Sequence, residues 1–213
     1  MEIIRWIHII SGAVVGISGL LQILLPKGGK RHRILGHAYF IGWMLVVPTG
    51  TALGSWVIAL FGLLGWYTAY VGYRIGMRRG LSLGRGDRVI VALATLAGVG
   101  TLGAGIYFLA GTASTGLGIL ATFFGSIFSV ITLRDLRTYV LRKVEPDTQR
   151  MPFAWVSGHY VRMYISYIAA MTAFSAIQGL LPIELLNWIA PSVIGTTLII
   201  VSGRYFRKKW GAA

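Results

Sequence analysis

The chain has 213 residues, of which 55% are hydrophobic and only 12% charged, with a net charge of +14 and no cysteine. A soluble domain carries about a quarter charged residues, so half that share, with a mean hydropathy of +0.71, marks a membrane protein. The missing cysteines exclude disulfides, thiolate zinc sites, iron–sulfur clusters and covalently attached c-type haem.

A helix that crosses a bilayer needs about 20 largely apolar residues. The first such run, about 3–25, reads straight into "LLPKGGKR" with no small-residue cleavage site behind it, so it is expected to be a retained helix rather than a signal peptide. The next apolar stretch, Ile34 to Tyr73, is too long for one helix and is expected to break near "GTALGSW". There Gly50, Gly54 and Ser55 suit a tight turn, and Pro48 kinks or ends the second helix. This gives runs of about 34–54 and 56–77. Four more follow, at about 88–110, 114–140, 153–179 and 183–204. "GRGDR" before the fourth lacks the spacing of a phosphate loop. The last run has no lysine from Ile183 to Gly203, which excludes a retinal attachment.

The cations fall between these runs in a strict pattern. Lys27, Lys30, Arg31 and Arg33 lie in the first connection, and Arg74, Arg78, Arg79, Arg85 and Arg88 around the third. Arg134, Arg137, Arg142, Lys143 and Arg150 cluster at the fifth, and Arg204, Arg207, Lys208 and Lys209 at the C-terminus. These eighteen of the 20 Lys and Arg share one side if there are seven spans, and the even connections carry none. Positive residues stay cytoplasmic. The expected fold is therefore an all-α bundle of seven transmembrane helices, one domain over 1–213, with the N-terminus outside and the C-terminus inside. A bacterial inner membrane is the expected location. The basic loops are expected to anchor the topology and to meet anionic lipid, and no exposed module is present for nucleic acid.

Gly12/Gly16 and Gly72/Gly76 have the four-residue spacing that brings helices close, which is a packing signal first. Ionisable groups inside hydrocarbon are costly and are functional candidates by default. Glu2, Arg5 and Glu184 lie near the outer interface, and Asp87 precedes the fourth run as a cap. There remain His8, His37, Asp135, His159 and Arg162, with His32 at a helix boundary. At about 1.5 Å per residue, Asp135 and His159 both come about 10 Å deep from the cytoplasmic side, and His37 about 6 Å deep. His8 lies near the outer end, so one ion held by all four histidines is not expected. His32 and His37 are about 140° apart around a helix, so one faces the bundle and the other does not. His159, Arg162 and Ser166 form one stripe, beside Tyr160, Tyr164, Tyr167 and Met171. Arg162 needs an anion, and Asp135 is the natural partner at that level. The plainer readings are an interfacial aromatic belt for His8 and His37, and a structural ion pair for Arg162 with Asp135.

At "HRILGHAY", "TLRDLR" and "HYVRMYISYIAAMTAF", continuing to "LPIELLNWIAPSVIG", the chain resembles a family of uncharacterised bacterial polytopic membrane proteins. The shared pattern falls on His8, Lys27-Gly28, His32-Arg33 with Gly36, Asp135, His159 with Arg162-Met163, Tyr167-Ile168-Ala169 and Thr172-Ala173-Phe174. His37 lies outside it. The resemblance implies a seven-helix bacterial membrane protein, stresses His8, His32, Asp135, His159 and Arg162, and implies no chemistry.

Four functions compete. The first is a membrane metal or haem b protein, with His159 and either His32 or His37 as axial ligands and Arg162 beside them. The second is a zinc-type intramembrane hydrolase with His32, Asp135 and His159 as ligands to a divalent metal. A proton-coupled transporter, in which His159, Asp135 and Arg162 line a cavity, is the third. The last is an accessory subunit of a homo-oligomer or larger membrane complex. A small-molecule or ion ligand fits the first three.

Overall fold

A computed structural model describes residues 1–54, 56–111, 115–141 and 154–210, and these form seven α-helices with no strand among them. They are α1 (Glu2–Leu24), α2 (Lys30–Leu53), α3 (Trp56–Arg78), α4 (Arg85–Ala110), α5 (Thr115–Asp135), α6 (Ala154–Gln178) and α7 (Glu184–Trp210). Five segments, Glu2–Leu24, Lys30–Leu53, Arg85–Ala110, Thr115–Val140 and Glu184–Phe206, are long and apolar enough to cross a bilayer. Of the basic clusters, Arg142, Lys143 and Arg150 lie outside the described residues, as do Ser55 and the side chains of Arg207 and Lys209.

Two helix boundaries differ from the hydropathy reading. α2 starts at Lys30, so His32 lies inside it rather than at its edge. Backbone conformation sets this start: Gly28 takes a φ of +87°, open to glycine at no steric cost, and Gly29 is extended as the N-cap. α2 then runs through Pro48 and Gly50 to Leu53, and the extended residue is Gly54. Gly50 is thus helical, and its missing side chain serves packing instead of a turn. At the other end of the chain order, α5 stops at Asp135 and a single π turn, Leu136–Val140, follows. Its signature is the Leu141 N–H bonded to the Leu136 carbonyl at 2.9 Å, the i→i+5 pattern common at functional positions.

The helices fall into two units. In the first, α1, α2, α3 and α6 close a four-helix ring: α1 packs on α2, α2 on α3, α3 on α6 and α6 on α1, and α7 packs on α6. Neighbours in the ring run antiparallel. His8 lies by Gly50 while Val15 lies by Gly42, and Gly72 lies by Met163 while Gly76 lies by His159. Likewise Tyr164 meets Ser202 and Ser175 meets Asn187. α2 and α6 consequently stand diagonally, parallel to each other, with only side chains meeting across the axis. Close approach rests on glycine. A Cβ on Gly42 would stand 2.8 Å from Val15 Cγ2 and 3.1 Å from the Ser11 carbonyl, and one on Gly19 would strike the Tyr167 ring. Of the two spaced glycine pairs, Gly72/Gly76 admits α6, whereas a Cβ on Gly16 would meet nothing within 4 Å. The α6–α7 turn is tied by buried Asn187. Its Oδ1 accepts from Ser175 Oγ (2.8 Å) and Leu181 N (2.9 Å), and its Nδ2 donates to the Leu181 carbonyl (2.9 Å).

The second unit is an antiparallel hairpin of α4 and α5 with the π turn. Its helices meet backbone to backbone. A Cβ on Gly125 would lie 2.6 Å from Leu102 N and 2.8 Å from its Cα, and one on Gly98 would lie 3.2 Å from Ser129 N. Thr95 Oγ1 donates to the Val91 carbonyl at 2.8 Å and reaches the Thr132 carbonyl at 3.3 Å. Asp87 lies in the first turn of α4 rather than before it, and its carboxylate accepts from Gly84 N at 2.7 Å.

Candidate functional site: a histidine pair across the bundle axis

The diagonal of the first unit carries the polar contacts. His32 is the third residue of α2 and His159 the sixth of α6, so both lie within about 8 Å of the same end of the bundle. Their rings meet edge to face, with centroids 6.2 Å apart and planes at 84°. Seven residues further along each helix, two turns on, the next diagonal pair forms: Tyr39 and Ser166 lie 2.7 Å apart and both are fully buried. Ser166 Oγ spends its hydrogen on the Met163 carbonyl at 2.8 Å, so Tyr39 is the donor between them.

His159 is held from α3. Its Nδ1 lies 2.8 Å from the Gly72 carbonyl, and a carbonyl only accepts, so Nδ1 carries the hydrogen. Nε2 is then the lone-pair nitrogen. The ring lies directly on Gly76, where a Cβ would stand 2.6 Å from Nδ1 and 2.8 Å from Cε1. Gly72 and Gly76 together make the cradle, one supplying a carbonyl and the other the space. A backbone carbonyl on Nδ1 is also how proteins orient imidazoles that bind metals through Nε2. His32 is different: its Nδ1 is buried and has no hydrogen-bond partner among the described residues. One ring of the pair is therefore held by a hydrogen bond, and the Nδ1 of the other is not.

The other candidates of the first unit make their own contacts, and Asp135 lies in the second unit. His37 is exposed, its Nδ1 donates to the Arg33 carbonyl at 2.7 Å, and its ring meets the edge of Tyr73. His32, and not His37, is thus the partner of His159. Arg162 is half-buried one turn beyond His159, and its Nη1 donates to the Gly158 carbonyl at 3.3 Å. Asp135 belongs to the second unit, buried at the junction of α5 and the π turn. His8 lies against the far end of α2, where its Nδ1 donates to the Val46 carbonyl at 3.1 Å and meets Thr49 Oγ1 at 3.2 Å. That contact is 14 to 17 residues along α2 from His32, or about 21–26 Å, so His8 and the pair are separate features. Among the described residues no three His, Asp or Glu side chains group as metal ligands.

Sequence reasoning missed Gly72 and Gly76 as parts of the site, because their spacing reads as plain packing. It also missed the Tyr39–Ser166 pair, although the shared step of seven residues from His32 and from His159 is the signal that finds it.

No protein-family model matches the chain, and neither a curated protein nor a solved structure is similar to it.

Proposed function

We propose that this chain is a seven-span protein of the bacterial plasma membrane, N-terminus outside, that holds haem b between His32 and His159. Membership of the bacterial polytopic family that the His-Arg-x-x-Gly and His-x-x-Arg-Met motifs resemble is part of this reading. One observation carries it: two imidazoles from diagonal helices meet across a four-helix axis, one with its tautomer fixed so that Nε2 is the free donor.

Zinc hydrolysis takes three protein ligands and a water, and the pair supplies two imidazoles. His32 and His159 would hold an iron porphyrin, which needs two protein ligands where zinc needs three. The buried Nδ1 of His32 has no hydrogen-bond partner among the described residues, so no bond ties that nitrogen elsewhere. Lys30, Arg31 and Arg33 flank His32 on the exposed surface and match the two propionates of such a ligand.

Each residue then has a task. Gly72 and Gly76 fix the ring plane of His159, His32 closes the opposite side, and Tyr39 with Ser166 seals the axis two turns further in. A bound haem supplies one-electron chemistry. The topology rests on the same unit, whose acids, Glu2 and Glu184, lie at the helix ends opposite to Lys27, Lys30, Arg31, Arg33, Arg78 and Arg79.

The test is the absorption spectrum, pyridine haemochrome and metal content of the protein purified from membranes. One haem per chain is expected, with the Soret band lost in both His32→Ala and His159→Ala and retained in His8→Ala. A colourless, metal-free protein ends the reading.

A further inference from the structure

A ladder of rings on the α2–α3 face remains outside that site. Trp66 stacks on Tyr70 (centroids 5.7 Å apart), Tyr70 reaches Phe40 (6.3 Å), and Phe40 stacks on Tyr73 at 4.1 Å with planes 7° apart. His37 closes the row, edge-on to Tyr73 at 5.6 Å. The ladder ends on two polar groups. His37 is exposed, and its Nδ1 is spent on the Arg33 carbonyl, so its Nε2 is an open acceptor. The Tyr73 hydroxyl makes no hydrogen bond among the described residues. This end of the ladder lies about 10 Å along α2 from its first residue, below the cationic rim of Lys30, Arg31 and Arg33.

We infer that His37 and Tyr73 bind the headgroup of a lipid-soluble quinol or quinone, with its flat ring against the Phe40–Tyr73 stack. A quinol hydroxyl donates to His37 Nε2, and the Tyr73 hydroxyl donates to a quinone or quinol oxygen. Aromatic rings favour offset or edge contact with such a ring, and the isoprenoid tail follows the apolar α2–α3 surface into the bilayer. A phospholipid headgroup fits less well, because a phosphate seeks the cations of the rim rather than one acceptor and one donor. The inference does not depend on whether His32 and His159 hold haem.

The experiment titrates a short-chain ubiquinone into the full-length protein in phosphatidylcholine nanodiscs, with empty discs as the partition control. Saturable binding of one equivalent is expected. His37→Leu and Tyr73→Phe are each expected to weaken it about five- to tenfold, the worth of one hydrogen bond, and unfolding should be little changed because both groups are at the surface of the bundle. Binding no greater than in empty discs overturns the inference. So does saturable binding unaltered in both variants, or binding displaced by phosphatidylglycerol alone. Because His8 contacts the far end of α2, His8→Ala leaves this face intact and should bind the quinone as the parent does.

Discussion

Two helical glycines of the first unit should respond in opposite directions to the same substitution. At Gly76 an added Cβ would stand 2.6 Å from His159 Nδ1 and 2.8 Å from Cε1, about 1 Å inside the optimum for non-bonded atoms. The ring cannot yield by rotation alone, because Nδ1 is tied to the Gly72 carbonyl at 2.8 Å. Either the imidazole swings away and strands that bond, at about 1–3 kcal/mol, or α3 and α6 part. Parting also costs about 1–3 kcal/mol, since Met163 Sδ and Arg162 Cβ already lie 3.0 and 3.1 Å from where a Cβ on Gly72 would be. The helix-propensity gain of alanine returns about 1 kcal/mol. The net effect of Gly76→Ala is a loss of up to about 2 kcal/mol, or a fall of up to about 6 °C in Tm for a chain of this size. Gly16→Ala meets nothing within 4 Å and keeps only the propensity term, so it should be neutral or raise Tm by up to about 3 °C. Thermal unfolding in detergent, followed by circular dichroism, reads both. Nitrogen-15 spectra of the imidazoles should show the Nδ1–H tautomer of His159 intact in Gly16→Ala and lost or mixed in Gly76→Ala. If Gly76→Ala is as stable as Gly16→Ala and leaves the tautomer unchanged, the cradle argument is wrong.

Three further outcomes follow from other parts of the structure. Asn187→Ala strands the Leu181 N–H, its carbonyl and the Ser175 hydroxyl, which should cost about 2–4 kcal/mol and raise amide exchange at Leu181; unchanged exchange there would refute the tie. Gly125→Val presses a side chain on the Leu102 backbone, which no rotamer change relieves, so the α4–α5 hairpin should open. Because the chain has no cysteine, a Thr95→Cys/Thr132→Cys pair reports this cleanly: it should cross-link in the parent and fail to in Gly125→Val. For topology, a single cysteine at exposed Lys208 should be shielded from an impermeant thiol reagent in intact cells and labelled after lysis, and labelling before lysis would reverse the orientation.

Hydropathy and charge are properties that each segment carries by itself, and they fixed a great deal. The apolar runs coincide with helices, five segments of which are long and apolar enough to cross a bilayer, and Lys27 to Arg33 against Glu2 and Glu184 mark opposite ends of the first unit, because hydropathy and charge belong to every residue separately. The separation of His8 from His159 was also legible, since counting residues along a helix measures height. Azimuth and partner were not. That His32 rather than His37 meets His159 depends on a helix start set by the φ of Gly28 and on α2 standing diagonal to α6. That Gly76 receives an imidazole, Gly16 receives nothing and Gly50 is helical beneath His8 depends on which surface faces each one. Spacing along a chain encodes which residues share a helix face; only the packed bundle decides what that face touches.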